Sequence, residues 1–203
     1  MSLIDLLVPP RCSGCSLPGS WLCLDCRNGL EPLGRSMGRL EITACGAYEG
    51  PLREAIRGAK YNDQPALTEE LGRLLAAVIA GDLARGARLD AIVPVRLHPG
   101  RRRERGYDQA VLLASVAAHH TGLPLIPALH RIRGGTAQVR LDRQGRAANV
   151  RSAFVGTAGA LRGGRVALVD DVATTGATLR DAAAAARACG AWTVRAYVVA
   201  LDE

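Results

Sequence analysis

Residues 166–178 read VALVDDVATTGAT, and the fold is decided there. Residues 166–169 are uniformly apolar, the pattern of a central parallel strand covered on both faces. The strand is expected to end at residue 170, which puts Asp170 and Asp171 at its carboxyl end, where open α/β sheets bind ligands. Successive strand residues point to opposite sides, so the two acids can splay around one ligand only if the strand is ending. Two carboxylates suit either a ribose diol, whose hydroxyls they accept, or Mg²⁺ held through water and diol oxygens.

Ala173, Thr174, Thr175, Gly176, Ala177 and Thr178 come next, and then a helix is expected. Small side chains let the backbone approach a ligand, and Gly176 can take a positive φ. Threonine hydroxyls and the free N–H groups of a helix start then surround one anion, for which a dianionic phosphate is the natural guest. An acidic loop with a threonine cap would explain one threonine. It would not explain two acids, three threonines and a glycine in this order after an apolar strand. A P-loop is excluded, because the sequence has no Gly-Lys-Ser/Thr.

Strands and helices alternate around this segment. Residues 42–48 and 89–95 read as strands, the latter with Pro94 expected at its end. Pro51 opens a helix that runs to Lys60. Leu67, Leu71, Leu74, Leu75, Val78, Ile79 and Leu83 recur at helical spacing, giving a helix that ends near Gly86. Residues 107–121 are expected to be helical, 123–126 a short strand, 179–189 a helix stopped by Gly190, and 193–201 a last strand. This is an α/β fold with a mainly parallel sheet. Residues 131–151 form a long polar stretch, with six arginines against the single acid Asp142.

Four of the six cysteines fall as Cys12-x2-Cys15-x7-Cys23-x2-Cys26. Each C-x2-C pair can point two thiolates at one ion, so the two pairs complete a tetrahedral Zn²⁺ site. Four cysteine ligands fill the coordination sphere, and the role expected is structural. Disulfides are the rival reading, with nothing to suggest an oxidising compartment. Cys45 and Cys189 stand alone and read as small buried hydrophobes. The glycine- and proline-punctuated stretch from residue 27 to about 39 reads as a linker. The organisation expected is a four-cysteine module and linker over 1–40 and an α/β domain over 41–203. Within that domain, 41–87 is a candidate hood and 88–203 the core.

The 203 residues carry 25 arginines and one lysine against 19 acids, a net charge of +7. Abundant Ala, Arg and Gly with a single lysine indicates GC-rich coding, so basicity alone argues little for nucleic acid. Lys60 is either an accidental surface residue or a site that needs a compact ammonium. Aromatic residues make up 3% of the chain, few for a protein that grips single strands by stacking. Hydrophobic content of 48% is that of a soluble globular protein, and no apolar run spans a bilayer. The short N-terminal apolar segment carries Asp5 and lacks a basic lead-in, so it reads as a poor signal peptide. A cytoplasmic location is expected.

VALVDDVATTGAT resembles the signature of the type I phosphoribosyltransferases, which bind phosphoribosyl pyrophosphate. The resemblance implies Asp170 and Asp171 on the ribose, as the catalytic pair, and residues 173–178 on the 5-phosphate. Further blocks resemble the ComF family, phosphoribosyltransferase-like proteins linked to natural DNA uptake. They are the cysteine module, Ala59-Lys60-Tyr61, Val93-Pro94-Val95, Arg105-Gly106-Tyr107-Asp108-Gln109-Ala110 and Gln138…Arg146…Asn149-Val150. They cover nearly the whole chain in order. Asp108 departs from the pattern, where Asn is more usual.

The resemblance implies a type I phosphoribosyltransferase-like sheet and a mobile loop over residues 131–151 that closes on the ligand. It makes Lys60, Arg96, Arg105, Gln138, Arg146 and Asn149 candidates for the pyrophosphate or the loop. Zn²⁺ in the module and Mg²⁺ with the sugar phosphate are the cofactors implied. The function expected is binding of a phosphoribosyl ligand, with or without transfer, in DNA uptake. The rival is a non-catalytic module that binds a nucleotide or single-stranded DNA and partners a competence helicase. A nucleotide-salvage transferase is a third reading.

Overall fold

The computed structural model describes residues 9–61, 64–97, 107–132 and 153–202. Among these, a five-stranded sheet has the order β1-β2-β7-β6-β3, built from β1 (Leu33–Met37), β2 (Leu40–Ala47), β3 (Ala91–Pro94), β6 (Arg165–Ala173) and β7 (Thr193–Leu201). All neighbours are parallel except the β1–β2 hairpin. A separate antiparallel pair is formed by β4 (Leu129–Arg131) and β5 (Phe154–Gly156). The helices are α1 (Leu24–Asn28), α2 (Gly50–Tyr61), α3 (Pro65–Ala84), α4 (Gln109–Thr121) and α5 (Ala177–Ala188).

The period of two along β6 explains the layering. Ala167 and Val169 join a core with Leu52, Ile56, Leu71, Leu75, Ile79 and Leu113, from α2, α3 and α4. Val166 and Leu168 join a second core with Leu179, Ala182, Ala186, Leu129 and Phe154, from α5 and the β4–β5 pair. With both faces covered, the central strands can be apolar throughout. Gly72 lets α3 and α4 close up: a Cβ there would meet Val116 Cβ at 2.7 Å. Cys45 and Cys189 are both 3% exposed and take part in these cores, as small hydrophobes do.

Three local differences from the expected elements have physical causes. The stretch read as a linker contains β1, an edge strand whose polar-alternating LGRSM is tied to β2 by a two-residue Gly38-Arg39 turn, with Gly38 at φ +66°. The strand expected at 123–126 reduces to a single parallel bridge between Ile92 and Leu125, secured by two backbone hydrogen bonds on the free edge of β3. And β6 does not stop at Asp170. It pairs with β7 as far as Ala173, beyond its last β3 partner at Val169.

Candidate functional site

Because β3 leaves the sheet at Pro94, residues 170–173 of β6 keep β7 on one side and have no β3 partner on the other. The ladder to β7 steps from Asp170↔Val198 to Val172↔Ala200. At that step the acids satisfy backbone donors themselves. Asp170 Oδ1 accepts from the N–H of Asp171 at 2.9 Å, and Asp171 Oδ1 from that of Val172 at 2.6 Å. The pleat slips there: Val169 and Val172 pack on the α2–α4 face, Leu168 and Ala173 on the α5 face. The two carboxylates thus sit at a slip within the strand rather than at its end.

Lys60, at the C-terminal end of α2, places Nζ 2.8 Å from Asp171 Oδ2, with both side chains 16% exposed. The single lysine of the chain therefore reaches the acidic pair across 111 residues of sequence. Asp170 is reached by solvent at one side but crowded by protein. Burial, and then the Asp171 carboxylate, push its pKa well above the usual carboxylate range; the Asp171 N–H, Lys60 and Arg131 act against that. Arg131, on β4, lies over the Phe154 ring with its guanidinium carbon 5.5 Å from the ring centroid.

The loop that follows is held from below. Gly176 adopts φ +66°, which strains any other residue, and a Cβ there would lie 2.2 Å from Met37 Sδ and displace that side chain. Arg35, also on β1, donates to the Thr174 carbonyl at 2.7 Å and to the Asp202 carbonyl at 3.3 Å. Thr175 Oγ1 accepts from the Ala177 N–H at 3.4 Å. Helix α5 starts without a side-chain cap at Gly176 and without an acid in its first turn, which leaves its positive end facing the loop. Thr174 and Thr175 are exposed.

Of the remaining candidates, Arg96 lies just past β3 with Nε 3.7 Å from Asp108 Oδ2, where the side chains are 24% and 5% exposed. Arg105, Gln138, Arg146 and Asn149 lie outside the described residues, as do the six residues 101–106 and most of the expected loop at 131–151. Sequence reasoning missed Arg35 and Met37, and it quoted Tyr107 only within a block of the resemblance, with no role. The Tyr107 hydroxyl donates to the Ala59 carbonyl and lies 3.2 Å from Thr68 Oγ1, which ties the start of α4 to the end of α2 beside Lys60. Neither Arg35 nor Met37 carries a local signal; a Gly-Arg hairpin turn at 38–39 is the only hint that β1 lies under the loop.

At the other end of α2 the four cysteine thiols converge, with all Sγ atoms within 4.8 Å of one another. A tetrahedral Zn²⁺ with Zn–S near ~2.3 Å needs thiols about 3.8 Å apart, so the donor set fits the ion. Burial alone would raise the Cys12 thiol, but the N–H groups of Cys23, Cys15 and Gly14 bring it down to about 6. The thiols of Cys23 and Cys12 push Cys26 up to about 12. Four crowded thiols resist ionising together, and a divalent cation removes that resistance. The module packs on α2: Cys12 and Leu22 share a core with Leu52, Ile56 and Ala59, and a Cβ on Gly14 would meet Pro51 at 2.8 Å. Among the described residues no helix is long and apolar enough to cross a membrane.

No family model matches the chain. Among solved structures, the allosteric regulatory enzyme of purine biosynthesis overlaps with a TM-score of 0.47 at 24% identity, over 64% of this chain but only 25% of that one. Adenine phosphoribosyl transferase from Trypanosoma brucei overlaps with a TM-score of 0.46 at 13% identity, over 86% and 87% of the two chains. The fold therefore rests on the strand order and helix placement given above. Among curated proteins, DNA utilization protein YhgH of Salmonella typhimurium is 29% identical over 189 residues, covering 92% of this chain and 82% of the relative. Competence protein F of Haemophilus influenzae is 31% identical over 199 residues, covering 94% of this chain and 84% of the relative. Identity at that level over most of both chains makes the chain a member of the competence protein F (ComF) family.

Proposed function

We propose that the chain binds a phosphoribosyl ligand, phosphoribosyl pyrophosphate or ribose 5-phosphate, at the carboxyl end of β6, in the service of DNA uptake. The observation that carries the reading is the pairing of a slipped Asp170–Asp171 pleat, neutralised from one side by Lys60, with an uncapped helix start only five residues later. Carboxylates accept the ribose hydroxyls, and the N–H groups and hydroxyls of residues 174–178 surround the 5-phosphate. The competence and DNA-utilization names of the relatives support the setting.

Asp170 and Asp171 are hard oxygen donors of the kind Mg²⁺ takes, and with the sugar hydroxyls they would hold that ion, which supplies charge neutralisation when bound. The chemistry open to such a site is displacement at C1 of the ribose. The acceptor's electron pair forms the new bond while the C1–O bond breaks and pyrophosphate departs with its electrons. The protein's part is positioning, together with cationic stabilisation of the leaving group. Lys60 and Arg96 are the cations for this among the described residues. Arg105, Gln138, Arg146 and Asn149 complete the proposed set. The cysteine module holds Zn²⁺ through Cys12, Cys15, Cys23 and Cys26 and is structural.

The test is thermal melting with phosphoribosyl pyrophosphate and Mg²⁺. The ligand is expected to raise the melting temperature of the native chain and to leave that of Asp170→Asn/Asp171→Asn unchanged. An equal rise in the double variant overturns the assignment. Pyrophosphate release in the presence of nucleobase acceptors separates transfer from binding.

A further inference from the structure

Buried polar side chains gather in one place in this fold. Among the described residues, the buried polar or charged ones are Thr68, Asp108 and Gln109. Thr68 Oγ1 lies 3.2 Å from the Tyr107 hydroxyl, so all three meet at the start of α4. The Tyr107 hydroxyl also donates to the Ala59 carbonyl, which sets this start beside Lys60. The Gln109 amide has no hydrogen-bond partner among the described residues. A polar cluster kept in the core at such a cost calls for a role.

Asp108 is the N-cap residue of α4, where an aspartate ordinarily accepts from the second or third N–H of the helix. Here its side chain makes no such bond. The carboxylate, 5% exposed, faces Arg96 instead, with Oδ2 3.7 Å from Nε. Arg96 follows Val95, whose N–H donates to the Val169 carbonyl at 2.9 Å, so it leaves β3 beside Asp170. The contact is made through Nε. Among the described residues the two terminal nitrogens of Arg96 have no partner.

We infer that Asp108 is a positioning residue, gripping the Arg96 guanidinium by its Nε edge and presenting the terminal nitrogens to an anionic group at C1 of the ligand. This rests on the phosphoribosyl reading above. It adds the residue that separates two ligand classes, a sugar phosphate bearing pyrophosphate at C1 and a plain sugar monophosphate. A guanidinium is a planar fork, and an anion takes it bidentately only when the fork is turned towards it. A long side chain that nothing grips loses that orientation to rotamer entropy. The buried carboxylate supplies the grip on one edge and leaves the other open. An acid that merely repelled the anion would act with the opposite sign.

Calorimetric titration of the full chain with ribose 5-phosphate and with phosphoribosyl pyrophosphate, each with Mg²⁺, tests this. The native chain should hold the pyrophosphate ligand more tightly. Arg96→Ala and Asp108→Ala should each shrink that preference about 10-fold, the worth of one charge-assisted contact. Damage to the fold lowers both affinities together, so the ratio within each variant reads orientation alone. Asp108→Asn, whose amide oxygen still accepts from the Nε–H, should keep most of the preference. Arg96→Ala/Asp108→Ala should lose no more than Arg96→Ala, because both act through one guanidinium. Asp108→Ser, with a capping hydroxyl, takes the place of Asp108→Ala if that variant does not fold. No preference in the native chain, an unchanged or larger one in Asp108→Ala, or losses that add in the double variant would overturn the positioning role and leave the phosphoribosyl reading intact. Equal binding of both ligands by the native and Asp170→Asn/Asp171→Asn chains would remove that reading, and this inference with it.

Discussion

Strand β6 begins and ends in an ion pair, and the two are built for different work. At its start, Arg165 and Asp90 form a reciprocal clamp. The guanidinium donates twice to the carboxylate, at 2.6 and 2.9 Å, and the Arg165 N–H adds a third bond at 2.8 Å. The Asp90 N–H returns one to the Arg165 carbonyl at 2.7 Å. Both side chains are about 40% exposed, so water screens the charges while geometry fixes them. At its end, Lys60 touches Asp171 through one contact at 2.8 Å, with both side chains only 16% exposed and a second carboxylate adjacent. A saturated, solvated pair aligns β3 with β6. A single-point pair in a low dielectric holds charge that a ligand can exchange. Ion pairs at the two ends of one strand thus separate scaffold from site.

The largest break in that contrast should come from the cysteine module, because it supports α2 and hence Lys60. Zinc removal by a chelator, or Cys12→Ser, should speed amide exchange in the module and α2 by at least about 10-fold, a loss of about 1.4 kcal/mol or more in local opening, while α5 keeps its protection. Uniform acceleration across the chain would show that the module props up the whole fold instead. Next in size is Lys60→Met, which keeps the stem and deletes the charge. Stripping the partner from a mostly buried carboxylate should cost about 2 kcal/mol of unfolding free energy at pH 7 and abolish the ligand-induced melting shift. A urea midpoint equal to that of the native chain would mean that Asp171 finds compensation elsewhere.

How far this site could be read from the sequence follows from where each constraint lies. The apolar strand, the acidic pair and the Thr/Gly loop are contiguous, so periodicity and residue chemistry reveal them together. The C-x2-C pairs are likewise local. Lys60 stands out as the single lysine and within the Ala59-Lys60-Tyr61 block, but its pairing with Asp171 exists because α2 packs on the face opposite α5. Arg35 reaches Thr174 across 139 positions, and no local pattern announces such a contact. The misjudged strand end has a specific cause. Asp is a poor strand former, and two in a row read as a terminus, yet here each carboxylate takes over the N–H of the next residue and β7 continues the ladder.

A third test sharpens the functional side of the comparison. Burial and the Asp171 charge raise the folded-state pKa of Asp170 above its unfolded value, so its ionisation opposes folding as pH rises. Asp170→Asn should therefore stabilise the fold at pH 7, seen as a higher urea midpoint, even as it removes ligand binding. The gain should shrink as pH falls through the raised folded pKa and be gone below about pH 4, where the native side chain is neutral in both states. A variant less stable than the native chain at neutral pH would mean that the charged form is favoured by the site.

Asp90→Asn should have the smallest effect, and the opposite pH dependence. The Arg165 side chain, and then its N–H, lower the Asp90 pKa from 3.8 to about 2. A depressed folded pKa gives stability that is present above the unfolded value and is lost as pH falls through the folded one. The deficit of Asp90→Asn should therefore be constant from neutral pH down to about 4, then shrink to nothing as pH approaches 2, with urea midpoints of variant and native chain converging. Because the pair is solvated, added salt should reduce the deficit as well. The ligand-induced melting shift should be untouched, since the clamp lies at the far end of β6 from the acidic pair. If Asp90→Asn weakened ligand binding as Lys60→Met does, the two ends of the strand would be coupled, and the division between scaffold and site would fail.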